Sequence, residues 1–128
     1  MVSLSDEQYE MIHFYYNLLN TIEEGFEYIV STFDSFQATE AETILKDILS
    51  AFYHVDSSNK VFEAVLKEEE VLIENLRKFD QVIMTVDADL SSFTSFQNNQ
   101  ELIKHSLAPC FIAWKELVQH ELKPYIIQ

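Results

Sequence analysis

The chain has 128 residues, with 22 acidic and 8 basic side chains and a formal charge of −14. Apolar residues make up 48% of it, against one Gly, two Pro and one Cys. This composition excludes a disordered chain, a Gly-rich phosphate loop, an internal disulfide and a multi-Cys zinc site, and it argues against a turn-rich all-β fold. The charge repels nucleic-acid phosphates and anionic membrane surfaces, so neither is an expected partner. A single soluble, acidic, all-α domain over residues 1–128 is the expectation.

The first helix opens at Leu4-Ser5-Asp6-Glu7-Gln8-Tyr9. Ser5 and Gln8 are spaced for a capping box, and Leu4 and Tyr9 for the hydrophobic staple over it. From there Ile12, Tyr15, Leu19, Ile22, Phe26, Ile29, Phe33 and Phe36 recur in steps of three and four, the signature of one buried helix face. Gly25 lies beside that stripe and costs a helix about 1 kcal/mol relative to Ala. Its expected use is to let a neighbouring helix come close.

After the polar joint Gln37-Ala38, Thr39 and Glu42 form a second capping box. The stripe resumes as Leu45, Ile48, Phe52, Val55, Phe62 and Leu66, with Asn59 in one step. The phase agrees on both sides of Asp56-Ser57-Ser58-Asn59, so one continuous helix is expected there. The third stripe is Leu72, Leu76, Phe79, Ile83, Val86, Leu90 and Phe93, and the step from Leu66 to Leu72 slips out of phase. That slip places a turn near Lys67, with one long helix as the alternative.

Ser91 to Asn99 reads as a loop, with Asn98 and Glu101 as a weaker cap. The last stripe is Ile103, Leu107, Phe111, Trp114, Val118 and Leu122. Pro109 removes a donor inside it and crowds the carbonyl four residues back, so a kink or split is expected near His105 to Pro109. Pro124 is expected to end the helix. The architecture implied is an antiparallel up-down-up-down four-helix bundle with a Pro-kinked or split last helix.

The start, Met1 to Glu10, carries Asp6, Glu7 and Glu10 and no Lys or Arg, unlike a secretory signal. The stretch Met11 to Ile22 is interrupted by polar residues and too short to span a bilayer. A lone Cys110 fits a reducing interior, so a cytoplasmic location is expected.

Glu10 and His13 match a Glu-x-x-His metal motif, but the di-iron bundles that use it need two copies and further inward Glu residues. His54, His105 and His120 also lie off the apolar stripes. An antiparallel layout brings His13 and His120 near one end, which keeps a metal-binding bundle as an alternative, with solvated histidines the plainer one. Cys110 reads as a small apolar filler, or as a thiol at a restarting helix. No nucleophile, base and acid can be assembled from spacing. A non-enzymatic protein without a cofactor is expected.

Nine of the 22 acidic side chains precede Lys46, the first basic one. Helix one therefore has a negative outer surface made by Glu10, Glu24, Glu27 and Asp34. Phe14 and Tyr28 fall on that side as apolar anchors. Glu10, Phe14, Glu24, Glu27 and Tyr28 together suit a basic or amphipathic partner helix. The alternatives are a solubilising face or a homodimer contact. The topology also brings Phe33, Phe36, Phe93 and Phe96 to one end, as a core plug or a peptide pocket.

The segments Glu23-Glu24-Gly25-Phe26-Glu27-Tyr28-Ile29, Ile44-Leu45-Lys46-Asp47-Ile48-Leu49 and Leu107-Ala108-Pro109 with Trp114 carry a resemblance. In them the chain resembles a group of small, acidic, all-helical bacterial proteins without assigned function, mainly from Gram-positive species. The likeness runs over helices one, two and four and implies a helical bundle with no known activity. In size and layout the chain is also distantly similar to flagellar export chaperones, which hold a secreted partner's helices on a bundle surface. That second likeness is one of architecture and carries no binding residue over.

Overall fold

Ser5 starts the first helix by accepting the Gln8 N–H at 3.1 Å, while the Ser5 N–H donates to Gln8 Oε1 at 2.9 Å. The computed structural model describes residues 3–33, 38–90 and 99–127, without the side chains of 38 and 39. Asp34, Phe36, Gln37, Phe93, Phe96, Asn98 and the Thr39 side chain therefore lie outside the described residues, as do the end plug and the two later caps built on them. Helix α1 (Asp6–Ser31) buries Ile12, Tyr15, Leu19, Ile22, Phe26 and Ile29, the face set by the spacing. Helix α2 (Ala38–Val65) runs unbroken through Asp56–Asn59. Its stripe of Leu45, Ile48, Phe52, Val55 and Phe62 is buried, and Leu66 just beyond it is buried too.

The phase slip after Leu66 is a turn: the Glu69 N–H bonds back to the Leu66 carbonyl at 2.8 Å, and α3 (Glu70–Arg77) begins next. The third leg differs from the expected single helix. It breaks at Lys78 and resumes as α4 (Phe79–Leu90). The Asn75 carbonyl there accepts both the Lys78 N–H, at 3.2 Å, and the Trp114 indole N–H, at 2.8 Å. A side chain that enters the backbone ladder in this way is a recognised cause of helix breaks. Past the break Phe79 and Val82 are buried, whereas Ile83, Val86 and Leu90, expected in the core, are only half-buried. The reason is that α4 leans mainly on the C-terminal leg and meets α2 chiefly through Phe79 against Phe52.

That last leg is split as Pro109 requires. A short α5 (Gln100–Leu102) leads into a π segment, Ile103–Leu107, and then α6 (Ala108–Ile126). The Ala108 N–H reaches the Ile103 carbonyl, five residues back, and Pro109 falls in the first turn of α6, where its missing N–H matters least. Pro124 does not end the helix: α6 continues to Ile126. Tyr125 holds that turn in place, buried, with its hydroxyl donating to Glu69 Oε1 at 3.0 Å and its ring 6.4 Å from that of Tyr9.

Contacts between legs fix the directions. Along α1, Tyr15 meets Asn59 and Phe62, while Gly25 and Phe26 meet Ile48 and Phe52, so α2 runs antiparallel. Tyr9 meets Tyr125, Glu23 meets Lys115 and Phe26 meets Phe111, so α6 is antiparallel to α1 as well. The pairs Glu69–Tyr125, Phe79–Trp114 and Thr85–Cys110 orient the third leg against the fourth. The result is the antiparallel four-helix bundle. Its centre is aromatic: Phe52 lies 5.6 Å from both Phe79 and Phe111, and Phe79 lies 4.6 Å from Trp114. With Phe26 each leg contributes at least one ring, and each such pair adds about 0.5–1.5 kcal/mol beyond the area it buries. Among the described residues no helix is long and apolar enough to cross a membrane.

Candidate protein-binding surface

Phe14 lies opposite the buried stripe of α1 and points outwards, with 72% of its surface exposed. It borders a shallow depression of about 290 Å³ at the α1–α2 seam, with Met11 beside it and Glu7 and Glu10 on its rim. Glu10 and Phe14 are thus one patch. Glu24 is exposed farther along α1. At about 1.5 Å per residue, ten residues separate it from Phe14 by roughly 15 Å.

Glu27 faces another seam. It lines a cleft of about 350 Å³ between α1 and the start of the last leg, opposite Lys104, with Pro109 and Ile112 on the far wall. Tyr28 is half-buried, and its phenol is hydrogen-bonded to Glu40 on α2. That bond, then desolvation and the negative charge of Glu40, raise the phenol above its ordinary 10.0, because losing the proton would break the bond and set two anions together. The five residues singled out on helix one therefore form two groups, Glu10 with Phe14 and Glu24 to Tyr28, at opposite halves of the helix.

The histidines are all exposed. The His13 ring Nδ1 is 2.8 Å from the Tyr9 carbonyl, and His105 pairs with Glu101 at 3.1 Å. Among the described residues no group of three or more His, Cys, Asp or Glu side chains could hold a metal ion. Cys110 is half-buried in the first turn of α6, its sulfur 3.6 Å from Thr85 Oγ1.

Two features lay beyond the sequence reading. Lys115 is buried at the α1–α6 seam, its ammonium 3.6 Å from the Glu23 carboxylate. Its position four residues after Phe111 and three before Val118, on the edge of the stripe, was the available signal. The second is an open groove between α2 and α4 of about 380 Å³, floored by Leu49, Phe52, Ile83 and Val86. The spacing carried no signal for it, since the third stripe keeps the strict steps of three and four of a core face.

Residues 10–117 match a family described as "Domain of unknown function (DUF8042)". Over 126 residues the chain is 29% identical to the "Uncharacterized protein YvzG" of Bacillus subtilis (strain 168), an alignment that covers 96% of this chain and 98% of that protein. No solved structure matches. The resemblance to small bacterial proteins of unassigned function is borne out, and the chain belongs to the DUF8042 family, a domain family of unknown function.

Proposed function

We propose that the protein is a non-enzymatic, cytoplasmic interaction protein, adaptor-like or chaperone-like, that takes a basic or amphipathic partner helix on the acidic outer face of α1. The observation that carries this reading is Phe14, exposed beside Met11 and rimmed by Glu7 and Glu10. A large apolar side chain left in water within a negative rim complements a helix whose apolar stripe is flanked by Lys or Arg. Glu24, Glu27 and Tyr28 form a second group at the other half of α1, which would take a further part of the partner.

The test is affinity capture from the native cell, comparing the wild-type chain with Phe14→Ala, Tyr28→Ala and the double variant. The reading expects at least one specifically enriched protein to be lost with Phe14→Ala. Retention of every partner by the double variant would sink it. Light scattering on the same samples separates the homodimer alternative, which expects a dimer for wild type and a monomer for Phe14→Ala.

A further inference from the structure

The α2–α4 groove holds about 380 Å³, and its floor belongs to a core. Leu49 and Phe52 form one wall, Ile83 and Val86 the other. Leu49 also borders a second depression, of about 160 Å³, lined by Leu45 and Leu90 with Glu42 and Lys46 beside them. Leu90 thus faces the early part of α2 and Asp80 the later part, as the antiparallel course of the two helices demands. From Leu45 to Asp56 the trough is eleven residues long, roughly 17 Å, or three helical turns.

The rim is acidic. Asp56, Asp80 and Asp87 stand around the apolar floor. Asp56 is bridged to Lys60 at 3.4 Å with both side chains exposed, whereas Asp80 and Asp87 have no ion partner among the described residues. Helix α4 carries Asp80, Asp87 and Asp89 and no Lys or Arg. Two large apolar side chains stay in water at the edges, Tyr53 at 79% and Met84 at 67% exposure. Met84 shares the helix face of Asp80 and Asp87, four and three residues away.

We infer that this groove receives one amphipathic helix of a partner protein, about three turns long, with an apolar stripe on the floor and Lys or Arg against Asp80 and Asp87. A groove between two antiparallel helices takes a third helix by the same ridge-and-groove packing that builds bundles. The apolar floor supplies affinity, and the carboxylates select the sign of the flanks. A second copy of this chain is a poor occupant, since each copy brings a charge of −14 to an acidic rim. The inference rests on the interaction-protein reading but moves the main contact from α1 to α2 and α4.

The probe is a fluorescein-labelled 15-residue Leu/Lys amphipathic helix, with a Leu/Glu helix of the same pattern as its control, titrated against the full chain by anisotropy. The comparison set is Asp80→Asn/Asp87→Asn, Phe14→Ala/Glu10→Gln, and the charge-matched Glu68→Gln/Glu116→Gln, each verified as folded by circular dichroism. The groove expects the Leu/Lys helix to bind, the Leu/Glu helix not to, and a loss of tenfold or more confined to the Asp80/Asp87 variant. Loss confined to the Phe14 variant leaves the α1 reading standing and overturns the groove. Equal loss in the Glu68/Glu116 variant shows only bulk attraction and overturns it, as does absence of binding. A wild-type dimer in light scattering that Tyr53→Ser converts to monomer makes a second copy the occupant and overturns it too.

Discussion

The indole N–H of Trp114 donates to the backbone carbonyl of Asn75 at 2.8 Å, and the third leg of the bundle breaks three residues after that carbonyl. A buried N–H without this acceptor would cost about 1–3 kcal/mol, so the indole dictates where the third leg turns. Trp114→Phe keeps a ring against Phe79 and Phe111 while removing the donor. Its expected cost is about 2 kcal/mol, part lost bond and part lost volume, read from urea unfolding followed by circular dichroism. Wild-type stability in that variant would remove the indole from the account of the break.

The Tyr15 hydroxyl donates to Asn59 Oδ1 at 2.5 Å inside the α1–α2 seam, and the Asn59 amide nitrogen has no partner among the described residues. Burial raises the Tyr15 phenol well above its ordinary 10.0. The folded state resists ionisation there, while the unfolded chain ionises near 10. The stability it contributes is therefore complete below pH 10 and falls as pH climbs from 10 towards the raised value, by about tenfold in the folding equilibrium per pH unit. Tyr15→Phe should flatten that alkaline loss in denaturation curves taken between pH 9 and pH 11. At neutral pH Tyr15→Phe and Asn59→Leu should each cost about 1–3 kcal/mol, because each strands a polar partner. The double variant should cost less than their sum. Additive costs would mean that the pair is not coupled.

At Gly25 two effects oppose each other. Alanine would gain about 1 kcal/mol of helix propensity, yet its Cβ would sit 3.0 Å from Ile48 Cδ1 and 3.3 Å from Ile48 Cγ1. The clash is with the far end of a side chain, so Gly25→Ala alone should fall within about 1 kcal/mol of wild type. Ile48→Val removes Cδ1 and reverses the balance. Against that background Gly25→Ala should stabilise by about 1 kcal/mol in thermal melts, and a destabilising effect there would mean that the backbones themselves are too close.

Most of the bundle was legible because apolar spacing reports directly on which face is buried. The α1 and α2 stripes are the core, Asn59 occupies the step at which it breaks the apolar pattern, and the slip from Leu66 to Leu72 marks a turn that no Gly or Pro announces. Pro109 marks the π segment for a covalent reason, the missing N–H. Features set by a partner on another leg could not be read in this way. Trp114 selects a carbonyl 39 residues away, and Tyr125 reaches Glu69 and carries α6 past Pro124. Period alone put Ile83 and Val86 in the core, but which helix α4 leans on is decided by packing. At the candidate surface the exposure of Phe14 follows from phase, whereas the bond from Tyr28 to Glu40 depends on the approach of α2.

Lys115 offers a sharper test of what holds α1 to α6. Its side chain is 7% exposed, and that of Glu23, 3.6 Å away, is 26% exposed, so the cation is the costlier member to bury. Removing the anion leaves a buried charge unpaired, whereas replacing the cation by an apolar side chain of similar length leaves a half-solvated carboxylate that water can serve. Glu23→Gln should therefore destabilise by about 1–3 kcal/mol, and Lys115→Met should be neutral or stabilising by up to about 1 kcal/mol. The neighbouring seam contact, in which Gln119 Nε2 donates to the Tyr16 carbonyl at 3.1 Å and to Asn20 Oδ1 at 2.9 Å, keeps the two helices in register in both variants. Urea unfolding of the two single variants and the double decides the matter. If Glu23→Gln proves harmless while Lys115→Met is costly, the ammonium is held by solvent or by its packed methylenes, and the pair has no part in joining the helices.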